Sequence, residues 1–132
     1  MRSQKRLLQI LVGVAAILAG LNIAQALARD RIGDILARPE AFDGREVVLQ
    51  GQANALDPRT SRRGNDYFTF RLSDGTGASL KVFSWGKPML TPGDRVEVHG
   101  RFQRERHVGR YVFTNEVEAV RVRKLPQRTA EP

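Results

Sequence analysis

Tyr67-Phe68-Thr69-Phe70-Arg71-Leu72-Ser73-Asp74-Gly75-Thr76-Gly77-Ala78-Ser79-Leu80-Lys81-Val82-Phe83-Ser84-Trp85 holds two runs of period two joined by a turn. In the first run Phe68, Phe70 and Leu72 share one face and Tyr67, Thr69 and Arg71 the other. Successive side chains of a strand point to opposite sides, so this alternation predicts a half-buried strand over Tyr67–Leu72. Asp74-Gly75-Thr76-Gly77 supplies the residues of a tight hairpin turn. A second strand follows over Ser79–Trp85, with Leu80 and Val82 on one face and Lys81, Phe83 and Trp85 on the other. Two such strands cannot bury their apolar face alone, so more strands must cover it.

The flanking sequence provides them. Upstream, Val47, Leu49 and Gly51 alternate with Val48, Gln50 and Gln52, which predicts a strand over Glu46–Ala53. Asn54–Asp66 is polar, contains Pro58 and Gly64, and is read as a loop. Ile32, Ile35 and Leu36 form one helical stripe in Arg31–Phe42, which Pro39 interrupts before the Asp43-Gly44 turn. Downstream, Gly86–Asp94 is a connection rich in Pro and Gly. Arg95–Gln103 is a fourth strand with Val96, Val98, Gly100 and Phe102 inward, and Arg104–Arg110 is read as a charged loop. Tyr111–Arg123 is a fifth strand, with a bulge expected near Asn115 because Tyr111 and Phe113 are out of phase with Val120 and Val122. Five strands with short turns predict an all-β, closed barrel preceded by a short helix, and Gly51 and Gly100 mark its tight bends.

The first 28 residues read differently. Arg2, Lys5 and Arg6 precede an apolar run from Ile10 to Ala24, and Ala26-Leu27-Ala28 offers a cleavage site. That layout predicts a secretory signal peptide; the alternative is an uncleaved membrane anchor. Either places residues 29–125, the barrel domain, in the periplasm or outside the cell, followed by a disordered tail over 126–132. Three of the 22 basic residues and none of the 14 acidic ones lie in the first 28 positions, so the remainder has a net charge of +5. A basic domain favours polyanions as partners. Without cysteine, thiol catalysis, c-type haem attachment and Cys-ligated zinc are excluded.

Ile32-Gly33-Asp34-Ile35-Leu36-Ala37-Arg38-Pro39-Glu40-Ala41-Phe42-Asp43-Gly44-Arg45-Glu46-Val47-Val48-Leu49-Gln50-Gly51 resembles the opening of bacterial and archaeal OB-fold domains of the nucleic-acid-binding, tRNA-anticodon-like type. Phe70–Gly77 resembles their second hairpin and Gly93–Gly100 their fourth strand. The resemblance spans about Ile32 to Val122. It implies a Greek-key barrel whose ligand face lies on strands two and three. One fold hosts many functions, so the ligand must be argued from the residues.

On that face Tyr67, Arg71, Lys81, Phe83 and Trp85 are the candidate contacts, with Arg62 and Arg63 as a loop clamp beside Arg59 and with Arg101, Arg104, Arg106 and Arg110 on the far flank. Aromatic faces stack bases and cations hold phosphates. Phe83 and Trp85 belong either to this face or to the core, since a bulge would exchange the two. The expectation is a non-enzymatic module without cofactor that binds single-stranded nucleic acid or a similar polyanion. The alternative is a periplasmic protein-interaction module. No G-x-S-x-G is present, Gly75-Thr76-Gly77 joins strand to strand, and His99 and His107 are too few for a convincing metal site. A third alternative is a haem or metal carrier. His107-Val108-Gly109-Arg110-Tyr111 has the H-x-x-x-Y spacing and so resembles the haem site of the periplasmic haem chaperones of cytochrome c maturation. In those proteins the motif follows the last strand, whereas here it precedes it.

Overall fold

The computed structural model describes residues 29–127. The signal or anchor predicted over residues 1–28 lies outside them, as do the last five residues of the predicted tail. Two short helices, α1 (Ile32–Ala37) and α2 (Pro39–Phe42), precede five strands: β1 (Glu46–Thr60), β2 (Asp66–Ser73), β3 (Ser79–Trp85), β4 (Arg95–Val108) and β5 (Tyr111–Lys124). Hydrogen bonding closes them into a barrel in the order β1-β2-β3-β5-β4. Neighbours are antiparallel except β3 and β5, which run parallel through Lys81–Glu116, Val82–Val117 and Phe83–Glu118. Among the described residues no helix is long and apolar enough to cross a membrane.

In β2 and β4 the inner face is the one the alternation predicts. Val47 and Leu49 of β1, Phe68, Phe70 and Leu72 of β2, Leu80 and Val82 of β3, Val96, Val98 and Phe102 of β4, and Val117 of β5 fill the interior. Ile32 and Ile35 of α1 join the same core. Each such side chain contributes about 1.5–3 kcal/mol by leaving water. Asp30 fixes the approach to α1: its N–H donates to the Val48 carbonyl and its carboxylate accepts the Val48 N–H. At the two strand glycines the backbone of a neighbouring strand leaves no room for a side chain. A Cβ at Gly51 would run into the Ser73 carbonyl, and one at Gly100 into the Glu118 carbonyl.

Three expectations need correction. The polar segment after Ala53 is not a loop: β1 continues to Thr60, paired with β2 alone, across a register shift between Asn54 and Asp57. Pro58 is tolerated there because this part of β1 has lost its β4 partner, whose pairing ends at Gln52. Likewise Arg104–Val108 is strand, and the β4–β5 hairpin closes through Gly109 and Arg110 only. Finally, the register slip in β5 falls opposite His99 and Gly100, where Val120 is the extra residue, 87% exposed. Asn115 instead adopts a left-handed φ of 51° within the strand.

Candidate nucleic-acid interface

The extra lengths of strand build two arms that stand out from the barrel. One is the β1–β2 hairpin beyond Ala53; the other is the β4–β5 hairpin beyond Gln103. Each contains a non-glycine residue with positive φ, Ala55 (53°) and Asn115 (51°). Such residues bend a strand and change where its side chains point. Between the arms, over the outer face of β2 and β3, lies a cleft of about 910 Å³.

Aromatic rings form its floor. Tyr67 and Phe83 stack with centroids 5.3 Å apart, and Trp85 meets Phe83 edge-on at 5.1 Å. Phe83 and Trp85 both belong to the outer face, which resolves the choice that the alternation left open. Their exposures differ greatly: Trp85 is 55% exposed and Phe83 only 6%. Phe83 is buried without belonging to the barrel core. Its cover is Tyr67, Trp85 and Arg106, whose guanidinium lies 4.8 Å from the Phe83 centroid. Arg106 and Lys81 also approach the Phe113 ring, each at 5.2 Å. Both cations are therefore held over aromatic rings before any ligand arrives.

The walls are cationic. Arg59 and Arg62 come from the first arm, and Arg106 and Arg110 from the second. Arg59 is oriented by Asp57, whose carboxylate accepts its Nε–H at 2.9 Å. Two carboxylates interrupt this positive lining, Asp57 on the wall and Glu116 at the base. Glu116 is 3% exposed. Burial pushes its carboxyl above the usual range, opposed by the charges of Arg106 and Lys81. A smaller recess of about 370 Å³ adjoins the cleft along Arg59 and Tyr67 and adds Lys87.

Of the predicted contacts, the cleft gathers Tyr67, Lys81, Phe83, Trp85 and Arg62, with the flanking Arg59, Arg106 and Arg110. Four others stand elsewhere. Arg71 lies toward the opposite end of β2, where its guanidinium donates to the Ser79 hydroxyl at 3.1–3.2 Å. Arg63 is exposed in the turn after β1 but does not line the cleft. Arg101, exposed on β4, stands opposite Glu46 of β1 and Glu118 of β5 in the strand register and does not line the cleft, nor does Arg104. Conversely Tyr111, Phe113 and Glu116 line the cleft and were not singled out as polyanion contacts in the sequence. Only a reading of Arg104–Arg110 as strand would have found them, because it sets the pairing of Arg106 with Phe113.

The structure sets His107 and Tyr111 on opposite faces of the β4–β5 hairpin. In the hairpin Val108 pairs with Tyr111, and both line the cleft, whereas His107 pairs with Val112 on the other face. His107 lies 3.5 Å from Glu105 and is largely exposed. Among the described residues no group of three or more His, Cys, Asp or Glu could hold a metal ion. Compared with known protein families and with curated proteins, the chain matches none.

Proposed function

We propose that this chain is an exported OB-fold binding protein, not an enzyme, whose cleft holds single-stranded nucleic acid or a chemically similar polyanion. The strand order and the parallel β3–β5 pairing support the OB-fold reading. In that fold ligands lie on the strand 2–3 face between the loops joining strands 1–2 and 4–5, and the cleft occupies this position here. The observation that carries the ligand class is the cluster Tyr67–Phe83–Trp85 flanked by Arg59, Arg62, Arg106 and Arg110. Rings supply stacking that tolerates any base, and the arginines track the phosphates. The pattern of residues 1–28 supports a site of action in the periplasm or beyond.

The sole tryptophan of the chain is Trp85, so its fluorescence reports on the cleft directly. Titration of the full-length chain in neutral detergent with a single-stranded oligonucleotide should give saturable quenching that weakens as salt rises. The double variant Arg59→Ala with Arg62→Ala should lose most of it. Unchanged fluorescence at low salt, with a folded protein, would remove this reading. A protein partner would then be the better candidate for the exposed apolar rim of Val108 and Tyr111.

A further inference from the structure

The floor of the cleft is not built for phosphate. Glu116 is buried there, and its Oε1 accepts from Arg106 Nη2 at 3.4 Å. Its other oxygen, Oε2, has no hydrogen-bond partner among the described residues, and neither has Arg106 Nε. Both atoms are buried. A charged group left with an open valence away from water carries a desolvation cost that a suitable partner would remove. The two open valences are complementary in kind: one is an acceptor and the other a donor, and both belong to the same ion pair. A phosphate offers acceptors only and would meet the Glu116 carboxylate with like charge. The edge of an amino-bearing base offers an N–H next to an acceptor, and carboxylates take such amines, as with N4 of cytosine.

Access runs past Arg106. Its side chain is 25% exposed, and 3.4 Å is long beside the ~2.7–2.9 Å of a strong charge-assisted bond. The guanidinium is thus held more by its stacking on Phe83 and Phe113 than by Glu116. A base that stacks on Trp85 and Tyr67 reaches the Glu116 carboxylate by displacing this partly exposed guanidinium.

We infer that Glu116 and Arg106 form a base-edge subsite at the floor of the cleft, selecting strands whose bases carry an exocyclic amine. This rests on the nucleic-acid reading of the cleft. It divides the labour there: Arg59, Arg62 and Arg110 on the walls take phosphates, whereas Glu116 accepts from the base amine and Arg106 donates to the neighbouring ring nitrogen or carbonyl. Thymine suits the floor poorly, since its single N–H lies between two carbonyls that face the carboxylate.

The test compares oligo(dC) and oligo(dT) of equal length, about 12 nucleotides, on the full-length chain in neutral detergent at neutral pH and fixed salt. Equal phosphate numbers cancel the wall contribution. The expected result is tighter binding of oligo(dC) by about fivefold or more, with the difference shrinking to less than about twofold in Glu116→Gln, whose amide both donates and accepts. A strand of 2-pyrimidinone nucleosides, cytosine without its amine, makes the same test on the unaltered protein should the variant fail to fold. It should bind as weakly as oligo(dT). Equal affinities for oligo(dC) and oligo(dT), falling with salt, would overturn the subsite and leave the polyanion cleft standing. Inorganic polyphosphate binding as tightly as either strand would do the same. Failure of every strand to bind at low salt would remove the cleft reading and the subsite with it.

Discussion

At the scale of single residues, Gly33, Gly51 and Trp85 show how one side chain or its absence sets a local requirement. Gly33 lies exposed inside α1 with nothing within 4 Å of a hypothetical Cβ. Glycine there costs helix stability, so Gly33→Ala should stabilise the fold by about 0.5–1 kcal/mol. Gly51→Ala should do the reverse, since the obstruction is the Ser73 carbonyl in the barrel wall. Forcing the strands apart should cost about 1–3 kcal/mol. Urea unfolding midpoints of the two variants would check both signs. Trp85 presents more than half its surface to the cleft, and Trp85→Ala should weaken oligonucleotide binding by about 1–3 kcal/mol, measured by fluorescence anisotropy of a labelled strand. Tyr67 was legible in the sequence as a member of the outer face, whereas for Trp85 the alternation left the outer face and the core both open. Phe83 was legible no further: the alternation left its side open, and its burial depends on Arg106, 23 positions away, crossing over it.

At the scale of elements, one carboxylate ties β4 to its neighbours. Glu97 accepts from Gln50 of β1 at 2.7 Å, from His99 at 2.8 Å and from Arg123 of β5 at 3.2 Å. These bonds, His99 first and then Gln50, hold its carboxyl down from 4.5 to about 2. The sign of the pH effect follows directly. Acidification protonates Glu97 in the unfolded chain before it does so in the folded one. The contribution of Glu97 is therefore complete above about pH 4.5 and is lost as pH falls toward 2. Urea midpoints measured across that window should fall, and in Glu97→Gln the fall should be smaller. The arms make the second point at this scale. Asn54–Thr60 and Arg104–Val108 are polar enough to pass for loops, yet both are strands. Local composition misreads them because their residues face water and the cleft rather than the barrel core, so no apolar alternation betrays the pairing. Asn115 conveyed a disturbance in β5, while the register slip itself fell at Val120.

For the whole molecule, the distribution of charge decides what the cleft can hold. Arginines on both walls face one another across aromatic rings, so a strand threaded between them should displace counterions at about three or four phosphates. The logarithm of affinity should then fall against the logarithm of salt concentration with a slope of roughly −2 to −3, since single strands lose about 0.7 per phosphate. Binding isotherms at four or more salt concentrations give this slope. A slope near zero would mean that stacking alone, or another ligand class, accounts for any binding. By itself the sequence determined the five strands, the inner faces of β2 and β4, the helical segment that precedes them and the two strand positions that must be glycine. All of these follow from periodicity and steric rules that act between near neighbours. Only the tertiary structure decided the length of the arms, the exclusion of Arg71, Arg63 and Arg101 from the cleft, and the meeting of Arg106 with Phe83 and Glu116. Those depend on the register between strands distant in the chain. A shift of one residue in that register exchanges every side chain between the two faces of a sheet.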